Sequence, residues 1–278
     1  MTPHGRRPAV PDDLARRLEA ATVAYDVEWL SPPAARVPSP AALRMRRFGR
    51  AVAFAAPEAP LLDFLNRVNG LWPEDAGLVP EIAEWYRGLG LVFWAEIVPV
   101  AGAEALEVAL ESVGAERVGR HCAVWAETSG IEDRRAGLSV CEVSPAEVAT
   151  VVTTLLDGHE VPREGRERMD LHSHWSGLAA WRFYSVLLNG EAAGAGVLRV
   201  GDGVGLLAAA STVPRFRGRG VQTALITRRL VDARAMGCEV VAAQAAEGST
   251  SLRNLRRAGL RPAYDKTIWR LRPAVETP

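Results

Sequence analysis

The stretch Thr212-Val213-Pro214-Arg215-Phe216-Arg217-Gly218-Arg219-Gly220-Val221-Gln222 joins an apolar run to a helix-forming run, and the rest of the chain is read outward from it. The first amides of a helix have no internal acceptor and carry partial positive charge. Glycine has no Cβ, so backbone around Gly218 and Gly220 can close on an anion. A pyrophosphate therefore fits where Arg217 to Gln222 turn into the helix. Each hydrogen bond from such an amide to a charged oxygen contributes ~1.5–3 kcal/mol, so three or four would dominate nucleotide affinity. Arginine side chains on the loop can neutralise a further phosphate.

Other glycine patterns fit worse. G-x-x-x-x-G-K-[ST] does not occur, which excludes a P-loop. Gly201, Gly203 and Gly205 alternate between two strands and open no helix, so a dinucleotide fingerprint does not fit. One Arg-Gly repeat inside an apolar fold is a poor match to an RNA-binding segment.

The context of the loop is regular. Trp181–Leu188 reads as a strand ending at Asn189-Gly190, a two-residue hairpin signal. Ala192–Val200 and Val204–Val213 follow as strands, parted by Gly201-Asp202-Gly203 and stopped by Pro214. After the loop come a helix over Val221–Met236 with Gly237 as C-cap, a strand over Cys238–Ala245, a helix over Ser249–Ala258 with Gly259 behind it, and a strand over Tyr264–Leu271. The first of these helices has weak apolar periodicity and rests on composition and its flanking glycines.

The first half repeats this order more faintly. Residues 11–25 read as a helix, 51–56 as a short strand, and Asn66–Leu71 as a strand end. A helix over Pro80–Gly88, a strand over Leu91–Val98 and a helix over Ala103–Val113 follow. The offsets agree: 213 − 68 = 145 for the strand-end valines, 237 − 90 = 147 and 259 − 114 = 145 for the helix-ending glycines. Such a period implies an internal duplication of about half the chain. We place the halves at 1–136 and 137–278.

Composition sets the outer limits. The chain has 278 residues, and a single core stops growing near ~250–300, so two domains are expected. Hydrophobic residues make up 48% and charged residues 24%, which excludes a wholly disordered chain. Thirty-three basic residues balance 33 acidic ones, so no global attraction to nucleic acid or anionic lipid exists. Lys266 is the only lysine. Cys122, Cys141 and Cys238 are sparse and unpaired in spacing, which suits a reducing, cytoplasmic setting and argues against a zinc ribbon. The sequence suggests neither a secretory leader nor a membrane span.

Arg215-x-x-Gly218-x-Gly220, with the three strands before it and the helix, strand, helix and strand after it, resembles the R/Q-x-x-G-x-G/A motif of the GCN5-related N-acetyltransferase (GNAT) superfamily over roughly residues 139–272. The first half looks like the N-terminal copy of tandem members. Its counterpart loop, Asn69-Gly70-Leu71-Trp72-Pro73-Glu74-Asp75-Ala76-Gly77, has two acids where a pyrophosphate would lie. That copy is expected not to bind cofactor. The implied fold class is α/β (α+β): two GNAT-like domains, each with a mixed, mostly antiparallel central sheet flanked by helices.

The resemblance implies acetyl-CoA, or another acyl-CoA, as co-substrate without a metal. Backbone near Thr212 and Val213 would pair with the pantetheine arm. Arg215, Phe216, Arg217, Gly218, Arg219, Gly220, Val221 and Gln222 would form the pyrophosphate loop, with Asn254 at the pantetheine or adenine end. A backbone amide near Ala210 to Thr212 would polarise the thioester. The catalytic positions depart from the superfamily pattern: the strand before the loop has no carboxylate, and Leu255 stands where many relatives have tyrosine. Tyr264 and Glu247 are the nearest substitutes. Asp170, His172 and His174 lack a third strong ligand and read as surface residues, while Trp175 is a candidate substrate wall. The expected function is transfer of an acetyl group to a primary amine of a small molecule or peptide by direct attack, in a monomer or homodimer. The alternatives are a non-catalytic acyl-CoA-binding regulatory module and transfer to an alcohol.

Overall fold

A computed structural model describes residues 10–30, 43–58, 60–131, 137–162, 166 and 175–271. In chain order the elements are α1 (Asp12–Leu30), β1 (Arg44–Phe48), β2 (Ala51–Ala55), β3 (Arg67–Asn69), α2 (Val79–Gly88), β4 (Phe93–Ile97), α3 (Ala103–Ser112) and β5 (Glu116–Glu127). They continue with β6 (Cys141–Glu142), α4 (Val148–Gly158), β7 (Trp181–Leu188), β8 (Glu191–Gly201), β9 (Val204–Thr212), α5 (Val221–Ala235), β10 (Val240–Ala246), α6 (Thr250–Arg257) and β11 (Arg261–Leu271).

Two compact units emerge, and they are not consecutive in sequence. One takes the described residues up to 123 together with 263–271; the other takes those from 124 to 262. A cut at 136/137 therefore does not follow the packing, because most of β11 belongs with the first unit and β5 passes from one unit into the other.

In the first unit β1, β2 and β3 form an antiparallel series, β3 runs parallel to β4, and β11 lies antiparallel to β4. Phe93, Ala95 and Ile97 of β4 and Trp269 and Leu271 of β11 pack with Ile82 and Tyr86 of α2 and Leu106 and Leu110 of α3. The Tyr86 hydroxyl bridges the Phe54 and Arg67 carbonyls at 2.6 and 3.1 Å.

The second unit has the same plan. β6 to β9 are antiparallel in series and β9 is parallel to β10. Two irregularities of β9 shape its surroundings. Its pairing with β10 stops at Leu206↔Ala242, although β9 continues to Thr212 and β10 to Ala246. Beyond that pair no ladder bonds join the two strands, and the cleft is the unpaired stretch between their ends. Its register with β8 also slips: Leu198 faces Leu207 but Gly196 faces Ala210, so Ala208 and Ala209 bulge opposite Val197.

Helix α5 lies close on β8 and β9. A Cβ at Gly194 would sit 2.5 Å from Val221 Cγ1 and 2.8 Å from the Ser211 carbonyl oxygen. Gly194→Ala should thus lever the start of α5 off the sheet and cost about 1–3 kcal/mol, a loss read by thermal denaturation.

Candidate functional site

The loop between β9 and α5 begins with a single 3₁₀ turn, Pro214–Phe216. Phe216 is buried and anchors the turn. Its amide donates to the Val213 carbonyl at 2.9 Å, and the Arg217 amide donates to Pro214 at 3.1 Å. The Arg217 amide is therefore engaged, which moves the start of the open run to Gly218. Ala224 makes the first bond of α5, to Gly220 at 3.0 Å. Between these points the amides of 218–223 donate to no acceptor among the described residues. Gly220 is the N-cap and supplies no side-chain cap.

Gly218 and Gly220 sit at φ +77° and +82°, in the left-handed region that L side chains rarely adopt. No atom lies within 4 Å of where either Cβ would be. Backbone direction, and not crowding, selects glycine here, and the space beside it is open. Six consecutive amides at an uncapped helix start make an anion cradle.

The three loop arginines differ. Arg215 pairs with Glu191 at 2.6 Å and Arg217 with Glu160 at 2.9 Å, all four side chains being exposed. Arg217 also donates to the Gly158 carbonyl at 3.0 Å. Arg219 meets only the Phe216 ring, 5.8 Å away, and no acid among the described residues. It is the loop cation available to a phosphate. Arg219→Ala should weaken acetyl-CoA binding about fivefold, roughly 1 kcal/mol, and flatten its salt dependence in titrations at two ionic strengths.

The first unit shows what the same position looks like when closed. After β3, Asp75 accepts from the Trp72 amide at 3.0 Å, and the Asp75 amide returns to the Trp72 carbonyl at 2.7 Å. Leu71 and Trp72 are buried, and Glu74 pairs with Arg16 at 3.1 Å. A carboxylate of the chain itself occupies the place an anion would take.

Other expected residues are scattered. Thr212 ends β9 half-buried, and its hydroxyl has no partner among the described residues. Val213 is buried, with its amide on Ala193 at 3.0 Å. Asn254 on α6 accepts from Arg257 at 2.8 Å and lines a cavity of about 780 Å³ with Thr223 and Thr227 of α5. Glu247 is exposed just beyond the C-terminal end of β10. Tyr264 belongs to the first unit, 4% exposed, with its hydroxyl on Glu19 at 2.8 Å. Burial and then the Glu19 carboxylate hold that phenol far above its usual range, which does not suit a proton donor. Trp175 is buried against Trp181 and Phe183, so it is a core aromatic and not a wall. Asp170, His172 and His174 lie outside the described residues. Among the described residues no cluster of three His, Cys, Asp or Glu could hold a metal, and no helix is long and apolar enough to cross a membrane.

Comparison with known proteins bears on this segment directly. The sequence profile of the acetyltransferase (GNAT) family matches residues 151–259. A GCN5-related N-acetyltransferase from Kribbella flavida is similar in structure, with TM-score 0.62 and 17% identity over 92% of this chain and 95% of that one. A tandem GNAT protein from the clavulanic acid biosynthesis pathway gives 0.61 and 19%, over 96% and 90%. A GCN5-related N-acetyltransferase from Sphaerobacter thermophilus gives 0.58 and 16%, over 98% and 96%. At these identities the likeness is one of fold. No curated protein matches the sequence. The matched segment holds the split strands, the open loop and both helices around them, so it is this part of the chain that is similar to the GNAT acetyltransferase family.

Proposed function

We propose that the second unit is an acyl-CoA-dependent N-acyltransferase and that the first is a degenerate copy without cofactor. The observation that carries this is the run of unengaged amides at 218–223 beside strands that part after Leu206 and Ala242. The amides of Gly218 to Thr223 and the Arg219 side chain would hold the diphosphate of acetyl-CoA. The freed edge of β9, up to Thr212 and Val213, would pair with the pantetheine amides, and Asn254 would border the nucleotide end.

The thioester supplies an electrophilic carbonyl and a good leaving group. An acceptor amine, an ammonium ion with pKa ~10 in water, must first give up a proton. Glu247 is the carboxylate nearest the mouth by sequence and takes that role, directly or through water. The amine nitrogen then bonds to the carbonyl carbon, the carbon–sulfur bond breaks, and the released thiolate takes a proton. Backbone amides of β9 near Ala210 to Thr212 stabilise the charge that develops on the carbonyl oxygen; one such donor is worth about 3 kcal/mol.

The missing strand carboxylate favours a second reading, a module that binds acyl-CoA without turning it over. Incubation with acetyl-CoA and a panel of primary amines, following free thiol, separates the two. Thiol release that depends on an amine supports the transferase. Tight binding with no release on any amine supports the module, and no binding at all removes both.

A further inference from the structure

Arg229, in the middle of α5, is 1% exposed, one of the largest side chains fully buried in the chain. Among the described residues no carboxylate pairs with it. Burial lowers its pKa to about 10, with the Tyr184 phenol opposing in part. A buried cation without a counter-ion is costly, and leucine would fill the same helix face at no electrostatic penalty. What the guanidinium does instead is hold three carbonyls. Nε donates to Leu225 at 3.0 Å, and Nη1 donates to Val197 at 3.0 Å and to Ala208 at 3.1 Å. Val197 and Ala208 are the two sides of the β8–β9 bulge, where the ladder is interrupted. Gly196 makes room: a Cβ there would lie 3.1 Å from Arg229 Cζ.

The bulge lies at the start of the free part of β9, just past the last pair with β10. An extra residue at that point sets how the following amides face the cleft. We propose that Arg229 is a positioning residue: by clamping the Val197 and Ala208 carbonyls it fixes the bulge, and so aims the backbone amides after it at the acyl carbonyl oxygen. This rests on the reading of the cleft as an acyl-CoA site. It adds a device in which the direction of a backbone donor is set by a side chain on the helix behind the strand. A donor tilted out of line loses much of its strength.

The test uses acetyl-CoA labelled with ¹³C at the carbonyl and reads its infrared stretch when bound to the full-length protein. Wild type should shift the stretch to lower frequency. Arg229→Lys keeps charge but loses the Nε bond to Leu225, and its side chain, one atom shorter, stops short of the point from which Nη1 holds both strand carbonyls; Gly196→Ala crowds the guanidinium without removing it. Both should lose most of the shift and turn over about tenfold to a hundredfold more slowly, short of the ~10²–10³ lost with a donor outright. CoA affinity should stay within about twofold, because the loop at 218–223 is untouched. Arg229→Met tests the same point where it folds. A full shift in folded Arg229→Lys and Gly196→Ala overturns the proposal, as does wild type that binds acetyl-CoA without any shift. Wild type that fails to bind acetyl-CoA instead removes the cleft reading itself.

Discussion

Gly220→Val should abolish measurable acetyl-CoA binding while the protein stays folded. A β-branched residue at φ +82° is strained by about 1–2 kcal/mol, and the loop can relieve that strain only by turning the peptide units on either side. Those units carry the amides of Gly220 and Val221, in the centre of the open run. Losing two charge-assisted bonds at ~1.5–3 kcal/mol each corresponds to at least a hundredfold in affinity. No core atom lies within 4 Å of the new Cβ, so no packing is broken and stability should fall by no more than the strain. The expected result is a lost calorimetric signal with CoA and acetyl-CoA alongside a melting temperature lowered by only a few degrees. Gly70→Val offers a contrast. Gly70 has a similar φ of +75°, but its Cβ would meet Val23 at 3.2 Å in a loop already closed by Asp75. That variant should destabilise the fold and leave acetyl-CoA affinity unchanged. Retained binding in Gly220→Val would mean that the diphosphate lies elsewhere.

How much of the fold and site was legible in the sequence varied with what local chemistry could say. The hairpins at Asn189-Gly190 and Gly201-Asp202-Gly203 appear within a residue or two of their expected places, because their turns need left-handed residues and the chain supplies them. The repeat also carries over, with β3, α2, β4 and α3 in the first unit matching β9, α5, β10 and α6 in the second. Helix α5 reads weakly for a physical reason. Its buried face runs Val221, Leu225, Arg229, Ala233, and one arginine in that row flattens the apolar periodicity. The irregularity in the pattern marks the residue with an unusual task. Strand β1, Arg44-Met45-Arg46-Arg47-Phe48, was not legible because only Phe48 is buried and no alternation survives. Helix α4 is rich in valine and threonine, and burial of Val148, Val151, Val152 and Leu155 overrides that propensity. The parting of β9 from β10 and the placing of β11 in the first unit are non-local. No spacing within one segment encodes them, and this is why Tyr264 looked close to the site when counted along the chain. The engaged amide of Arg217 was likewise hidden, since it depends on a 3₁₀ turn that only the folded loop defines.

Lys266→Met should be among the most destabilising substitutions in the protein, and it should reverse how stability depends on pH. Among 33 basic residues the only lysine is 1% exposed on β11, within 3.3 Å of Glu19 and in contact with Glu96. Tyr264 donates to Glu19, and His121 lies 3.0 Å from Glu96. Burial disfavours the charged ammonium, but Glu19 and then Glu96 overcome it and raise the pKa above the usual lysine range. Burial likewise pushes the Glu96 carboxyl up, yet Lys266 first and His121 second bring it far below the usual carboxylate range. In wild type the depressed Glu96 stabilises the fold above its unfolded pKa of ~4.3, and that contribution disappears as pH falls below it. The raised lysine stabilises below its unfolded pKa of ~10.4 and is lost as pH rises through the folded value, so stability is flat between pH ~5 and ~9 as far as this cluster decides. Methionine matches the volume but leaves the buried Glu19 and the half-buried Glu96 without their shared cation. Removing one partner of such a cluster costs about 3–5 kcal/mol at neutral pH. Without the ammonium, only His121 opposes the burial that pushes the Glu96 carboxyl up, so Glu96 binds its proton more tightly folded than unfolded and the sign inverts: between pH ~7 and ~4.5 the variant should gain stability while wild type holds or loses it. Urea denaturation at those two pH values measures this directly. A variant as stable as wild type at neutral pH, or one that also weakens on acidification, would show that the ammonium is not what holds Glu19 and Glu96 together.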